Sequence, residues 1–174
     1  MTLEDMAYHI INESIHLANL RLDENYLMDF KKILYILFLV ECEYMKQTNT
    51  PLFAEDFFLS ASGIAVGVEK GKNFDISLSK YIEQKLFIFE DVERGIYTNP
   101  TFETKVDHLI NDIVAKILNE YGFISLNLLK ALFAEVLNLK GVYSFNLIEK
   151  NRMKSLFEDE VLNNVGISRI RELN

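Results

Sequence analysis

Residues 30–42 read Phe30-Lys31-Lys32-Ile33-Leu34-Tyr35-Ile36-Leu37-Phe38-Leu39-Val40-Glu41-Cys42, and eight of them in succession, Ile33 through Val40, are apolar. A helix on a protein surface shows an apolar stripe and a polar opposite face, so an unbroken run belongs to something enclosed. That is either a central helix or a buried strand, and length separates the two. The apolar pattern opens at Tyr26 and continues through Tyr44 and Met45 without Gly or Pro. It is about twenty residues long, whereas strands seldom exceed about ten. A buried central helix is expected, with the rest of the chain wrapped around it. Eight apolar residues are too few to cross a bilayer, which takes about twenty.

Working outward, the 174 residues are enough for one domain with a real core, and 49% hydrophobic with 25% charged residues suits a globular protein. Two prolines and seven glycines leave little room for a turn-rich β architecture. The expected fold is mostly α: a single compact helical domain over residues 1–174, with at most a minor short β element. Cys42 is the one cysteine, so there is no internal disulfide and no thiolate metal site. It reads as a buried thiol used as a small hydrophobe. The opening Met1-Thr2-Leu3-Glu4-Asp5 is acidic, unlike the basic start of a signal peptide, and a cytoplasmic location is expected. Net charge is −8, with four basic and ten acidic side chains in residues 1–60. That balance argues against nucleic acid as a direct ligand, since phosphate contacts need a basic face. It permits a basic protein partner, and simple solubility is the plainer explanation.

Thr2 followed by Asp5 resembles an N-cap with an acidic first turn. Leu3, Met6, Ala7, Ile10, Ile11, Ser14, Leu17 and Ala18 then recur at helical spacing, predicting a helix from about 3 to 19. Residues 20–25 turn into the central helix, and Gln47-Thr48-Asn49-Thr50-Pro51 ends it. The stretch from Leu52 to Val66 fits an extended segment or very short strand, and 67–73 reads as an exposed loop. A short helix is expected around Leu78–Leu86 and a charged turn at Asp91–Gly95. Thr101 is expected to cap a helix carrying Val106, Leu109, Ile110, Ile113, Val114, Ile117, Leu118 and Tyr121, with Gly122 as its left-handed stop and Phe123 as the apolar contact of a Schellman motif. Ser125 caps the next helix, Leu126 to about Asn138, crossing its predecessor steeply. This second helix has one Lys and one Glu and reads as buried, which is wrong for a DNA recognition helix. A turn at Gly141 precedes a last helix marked by Phe145, Ile148, Met153, Leu156, Phe157, Val161 and Leu162, within a C-terminal helix and tail at about 144–174.

No arrangement of side chains marks a reaction. His9 and His16 lie two turns apart, too far to hold one metal as an i, i+4 pair would, and read as surface or satisfied histidines. Neither they nor His108 sits in a local catalytic motif, and Ser60 and Ser62 before Gly63 do not form Gly-x-Ser-x-Gly. Gly67-Val68-Glu69-Lys70-Gly71 lacks a phosphate-cradling pattern. Glu41 and Glu43 are two residues apart on a helix and point away from each other. With Asp91/Glu93 and Glu158–Glu160 they read as surface carboxylates. No catalytic, cofactor-binding or metal-binding residue is assigned, no cofactor is expected, and neither the partner-binding residues nor the oligomeric state can be read.

The order of segments does carry a likeness. Lys31-Lys32-Ile33-Leu34-Tyr35 resembles the Lys-Leu-Leu-Tyr helix of the Panacea, or SocA-like, antitoxin domain. In that family a Gly-x-Pro-Leu-Phe turn follows, and Thr50-Pro51-Leu52-Phe53 stands in its place. Leu59-Ser60-Ala61-Ser62-Gly63-Ile64-Ala65 is similar in position to the family's Ala-Trp-x-x-Gly-Pro-Val stretch, without the Trp and the Pro. Asn119-Glu120-Tyr121-Gly122-Phe123-Ile124-Ser125 through Leu132 matches its Tyr-Gly turn and Ser-started, Leu-rich helix. The resemblance spans about residues 5–140. It implies a mostly helical, non-enzymatic domain of phage and mobile elements that binds and neutralises toxin proteins. The leading expectation is therefore a protein-binding, antitoxin-like module whose partner is a toxin. A second is a phage-encoded, anti-CRISPR-like inhibitor of a host defence nuclease, its acidic side chains occupying sites meant for phosphates. A third is an enzyme whose site no motif marks. Neither direct nucleic-acid binding nor membrane insertion is expected.

Overall fold

A computed structural model of the chain describes residues 1–60, 63–67, 89–91, 96–98, 105–142 and 147–158. The first helix, α1 (Leu3–Arg21), starts where the sequence places it. Thr2 Oγ1 accepts the Asp5 N–H at 3.1 Å, and the Asp5 carboxylate accepts from the Thr2 main chain at 3.3 Å. This reciprocal capping box satisfies donors that a helix start otherwise leaves open. Leu22 ends the helix in the left-handed conformation at φ 53°. A single 3-10 turn, Glu24–Tyr26, leads to Asp29, which caps α2 (Phe30–Thr48) by accepting the Lys32 N–H at 2.7 Å.

Helix α2 is the enclosed element that its sequence demands. None of the side chains from Ile33 to Val40 is more than 3% exposed. Helix α1, the helices described below and a small sheet surround it, and their buried side chains form one contiguous cluster. Aromatic rings fill its centre. Phe38 meets Phe57 at 5.2 Å and Phe133 at 5.6 Å between centroids, and Tyr35 meets Phe133 edge-on at 4.7 Å, offsets that suit the ring quadrupoles. Asn49 stops α2 in the left-handed conformation, its N–H bonded to the Met45 carbonyl.

The stretch read as extended contains an antiparallel hairpin, β1 (Asp56–Ser60) and β2 (Gly63–Gly67), with Phe57 opposite Val66 and Ser60 opposite Gly63. A second antiparallel ribbon pairs β3 (Phe89–Asp91) with β4 (Ile96–Thr98). The expected helix near 78–86, the turn residues 92–95 and the Thr101 cap lie outside the described residues. Helix α3 (His108–Ile117) instead begins at Asp107, whose carboxylate accepts the Ile110 N–H at 2.9 Å.

Two expectations are corrected. Gly122 is not a left-handed stop. Helix α3 widens into a π-helical turn, Leu118–Gly122, and the glycine stands at a close approach: a Cβ there would lie 3.1 Å from Tyr26 Cδ1, a tight contact. Phe123 packs near the Tyr26 ring and not in a Schellman contact. The last helix is also shorter than its periodicity suggests. Leu147–Ile148 forms strand β5 on the free edge of β1, burying Ile148 opposite Phe57, and among the described residues of this stretch the helix covers Lys150–Met153 (α5). An open strand edge offers N–H and C=O groups that a neighbouring segment can pair, and here that wins over helical spacing. Residues 143–146 and 159–174 lie outside the described residues.

Ser125 caps α4 (Leu126–Leu139) as read, accepting the Leu128 N–H at 3.4 Å, and the two helices are bent by 102°. Leu129, Leu132, Phe133, Val136 and Leu137 are buried, while Leu128 and Leu139 on its other face are exposed, so α4 is amphipathic and not buried all round. The molecule is thus mostly α, with a three-stranded antiparallel sheet in the order β2-β1-β5 as its main β element. No single helix among the described residues is long and apolar enough to cross a membrane.

Candidate functional site

Charged side chains that flank the apolar run of α2 are drawn into the core with it. Glu41, read as a surface carboxylate, is fully buried. A helix enclosed on every side encloses its polar residues too, and one turn beyond Leu37 there is no solvent face to occupy. Its Oε2 accepts the N–H groups of Leu52 at 3.0 Å and Phe53 at 3.2 Å. Its Oε1 lies 3.5 Å from Lys150 Nζ, which also donates to the Phe53 carbonyl. Burial pushes the Glu41 carboxyl above its ordinary pKa, against the pull of Lys150 and the two N–H groups. Glu43 points elsewhere, as their spacing requires. Burial pushes its carboxyl up, but bonds from Lys116 at 2.7 Å and Gln47 at 2.8 Å outweigh that and leave it below the usual range.

At the other end of the run Lys32 is also buried. Its ammonium donates to the carbonyls of Asn25 and, at 2.6 Å, of Gly122, joining the 3-10 turn to the π turn. One turn on, the Tyr35 hydroxyl bonds the main chain of Ile64 beside Gly63. A Cβ at Gly63 would stand 1.9 Å from the Tyr35 oxygen. Lys32, Tyr35 and Glu41 therefore pin four segments to one helix: the 3-10 turn, the π turn, the start of β2 and residues 52–53.

Of the two histidines read as surface or satisfied, His16 is exposed; His108, which lies in no catalytic motif, is exposed and paired with Asp112 at 3.0 Å. His9 differs. It is buried, its Nε2 has no hydrogen-bond partner among the described residues, and burial lowers its pKa, offset in part by Glu13 and Asn111. Asn111 of α3 stands beside it.

An open cavity of about 140 Å³ lies where α2, the end of α3 and the segment after α5 meet. Cys42, Glu43, Lys46, Lys116, Glu120 and Lys154 supply its polar lining. Lys116 is engaged by Glu43, and Lys154 by Asn49 at 3.2 Å. Burial, with Glu41 and Glu43 adding to it, pushes the Cys42 thiol well above its ordinary pKa. A thiol so placed is a poor nucleophile, and no histidine lines the cavity to activate it. Among the described residues no group of three or more His, Cys, Asp or Glu side chains could hold a metal ion. Of the remaining paired carboxylates, Glu158 is exposed, while the Asp91 side chain, Glu93, Asp159 and Glu160 lie outside the described residues.

The residues that sequence reasoning missed are Lys32, Glu41 and Lys150. A signal existed for the first two, since each borders the all-apolar run and must share its enclosure. Nothing marked Lys150, whose partner is more than a hundred residues away. No family model, curated protein or solved structure matches this chain.

Proposed function

We propose that this protein is a non-enzymatic protein-binding module of the antitoxin type, in line with its resemblance to the Panacea domain. One observation carries the reading. The stretches that bear the resemblance meet on α2: Lys32 with Gly122, Tyr35 with Gly63 and Ile64, and Glu41 with Leu52 and Phe53. A common packing centre for these segments is what supports the reading. The same contacts commit the buried charges to main-chain groups, so the outer surface is left as the place where the protein acts. Co-expression with the product of the neighbouring reading frame tests this. That product is expected to arrest growth alone and to be relieved by this chain. A harmless neighbour, or toxicity that persists, refutes the antitoxin reading.

A second reading, an inhibitor of a host defence nuclease, draws on the acidic excess of residues 1–60. It requires that the chain displace nucleic acid from a purified nuclease in a salt-dependent manner, and displacement unchanged by salt counts against it.

A further inference from the structure

The open cavity where α2, the end of α3 and the segment after α5 meet has a layered lining. Its buried part is apolar: Leu39, Ile117 and Met153 line it, and none of them is more than 3% exposed. Phe157 adds a half-buried ring beside them. Its outer part is charged. Lys46, Lys116 and Lys154, all exposed, reach it from three different segments, with the half-buried Glu43 and Glu120 among them. Three ammonium groups against two carboxylates leave one positive charge there, in a chain whose total is −8.

The three lysines are not equally committed. Lys116 is bound to Glu43, whose carboxylate also accepts from Gln47. Lys154 donates to the neutral amide oxygen of Asn49 at 3.2 Å. Lys46, whose charge Glu43 feels, makes no hydrogen bond of its own among the described residues. An ammonium has three donors, so Lys46 and Lys154 both keep donors to offer. The volume, about 140 Å³, is close to that of an apolar cavity of about 150 Å³ that accepts benzene. A buried apolar lining with a few polar groups set to orient the occupant is the ordinary anatomy of a small-molecule site.

We propose that this cavity binds a small monocarboxylic acid with a compact apolar body about the size of a benzene ring. The body lies on Leu39, Ile117, Met153 and Phe157, where it gains by leaving water. The carboxylate is taken by Lys46 and Lys154, in charge-assisted hydrogen bonds. Its one negative charge balances the one positive charge of the lining. This goes beyond the protein-binding reading above and does not depend on it.

The probe is benzoate, titrated into the purified protein and followed by NMR chemical shifts, with benzyl alcohol and inorganic phosphate as comparisons. Wild type is expected to bind benzoate saturably, with a Kd of about 1 mM or tighter, and to bind the alcohol and phosphate about tenfold more weakly or less. The double variant Lys46→Gln, Lys154→Gln should lose about tenfold or more in benzoate affinity. Both side chains are exposed, so its Tm should stay close to that of wild type. Lys31→Gln, at the opposite end of α2, should stay within about twofold. No saturable binding of benzoate by wild type overturns the proposal. Benzyl alcohol binding as tightly as benzoate overturns the carboxylate, and phosphate binding as tightly overturns the apolar body. Benzoate binding that the double variant retains in full overturns the site.

Discussion

Lys32 carries its ammonium where water does not solvate it, and the consequence is measurable in pH. Burial lowers its pKa from 10.5 to about 8, against the pull of Asp29 and Asp23. The two carbonyls that it meets accept a bond from the charged or the neutral amine, so they do not by themselves require the charge. In the unfolded chain the same lysine holds its proton up to about 10.4. Between pH 8 and 10.5 the unfolded state therefore binds more protons than the folded one, and stability from this residue rises with pH through that window. The full shift corresponds to about 3 kcal/mol, as an upper bound. Chemical denaturation of wild type and Lys32→Met at a series of pH values isolates it. Wild type should gain on the variant from pH 8 upward, and a difference that is flat or falls would mean that the ammonium is solvated after all. The sequence showed Lys32 only as a residue beside an apolar run, because its acceptors at Asn25 and Gly122 are set by how two turns close on each other.

Among the elements, the β1–β2 hairpin depends most on one residue. Gly63 has φ +120°, a region that side-chain-bearing residues rarely adopt, and its α-carbon faces the Tyr35 hydroxyl. Ser60 Oγ bonds the Gly63 carbonyl at 2.8 Å and closes the turn. Gly63→Ala meets two separate penalties, backbone strain and collision with the tyrosine oxygen, and should destabilise by about 3 kcal/mol or more. Adding Tyr35→Phe removes the oxygen but not the strain, so the double variant should recover part of the loss. Urea midpoints of the four proteins form the cycle, and a double variant that shows no recovery would mean that the collision is not the cause. The hairpin was legible only as extended chain, since alternation is weak in Asp56–Ser60 and its pairing partners are fixed by the sheet. The π turn was legible only as an ending. Gly122 looked like a helix stop, and the close approach there comes from Tyr26, nearly a hundred residues earlier.

On the scale of the whole molecule, helices α1, α3, α4 and α5 and the three-stranded sheet are built against α2. Leu37, at its middle, has no exposure. An aspartate there would be an isolated buried carboxylate, escaping only by protonation or unfolding. The cost should exceed about 4 kcal/mol, against a domain stability of about 5–15 kcal/mol. Circular dichroism melts should show Leu37→Asp unfolded or lowered by many degrees, and a melt close to wild type would mean that this face of the helix meets solvent. By itself the sequence determined the enclosed helix, the caps at Thr2 and Ser125, the break at Asn49 and the steep turn between α3 and α4. Those follow from unbroken apolarity and from side chains bonding backbone within three or four residues, so they need no knowledge of distant partners. Tertiary structure alone decided that Glu41 is a buried clamp for residues 52–53 and 150, that Ile148 joins a sheet and not a helix, and that Leu20 and Leu22 stand in solvent. Each of these depends on what lies across a gap in space from a given residue, and local spacing carries no record of that.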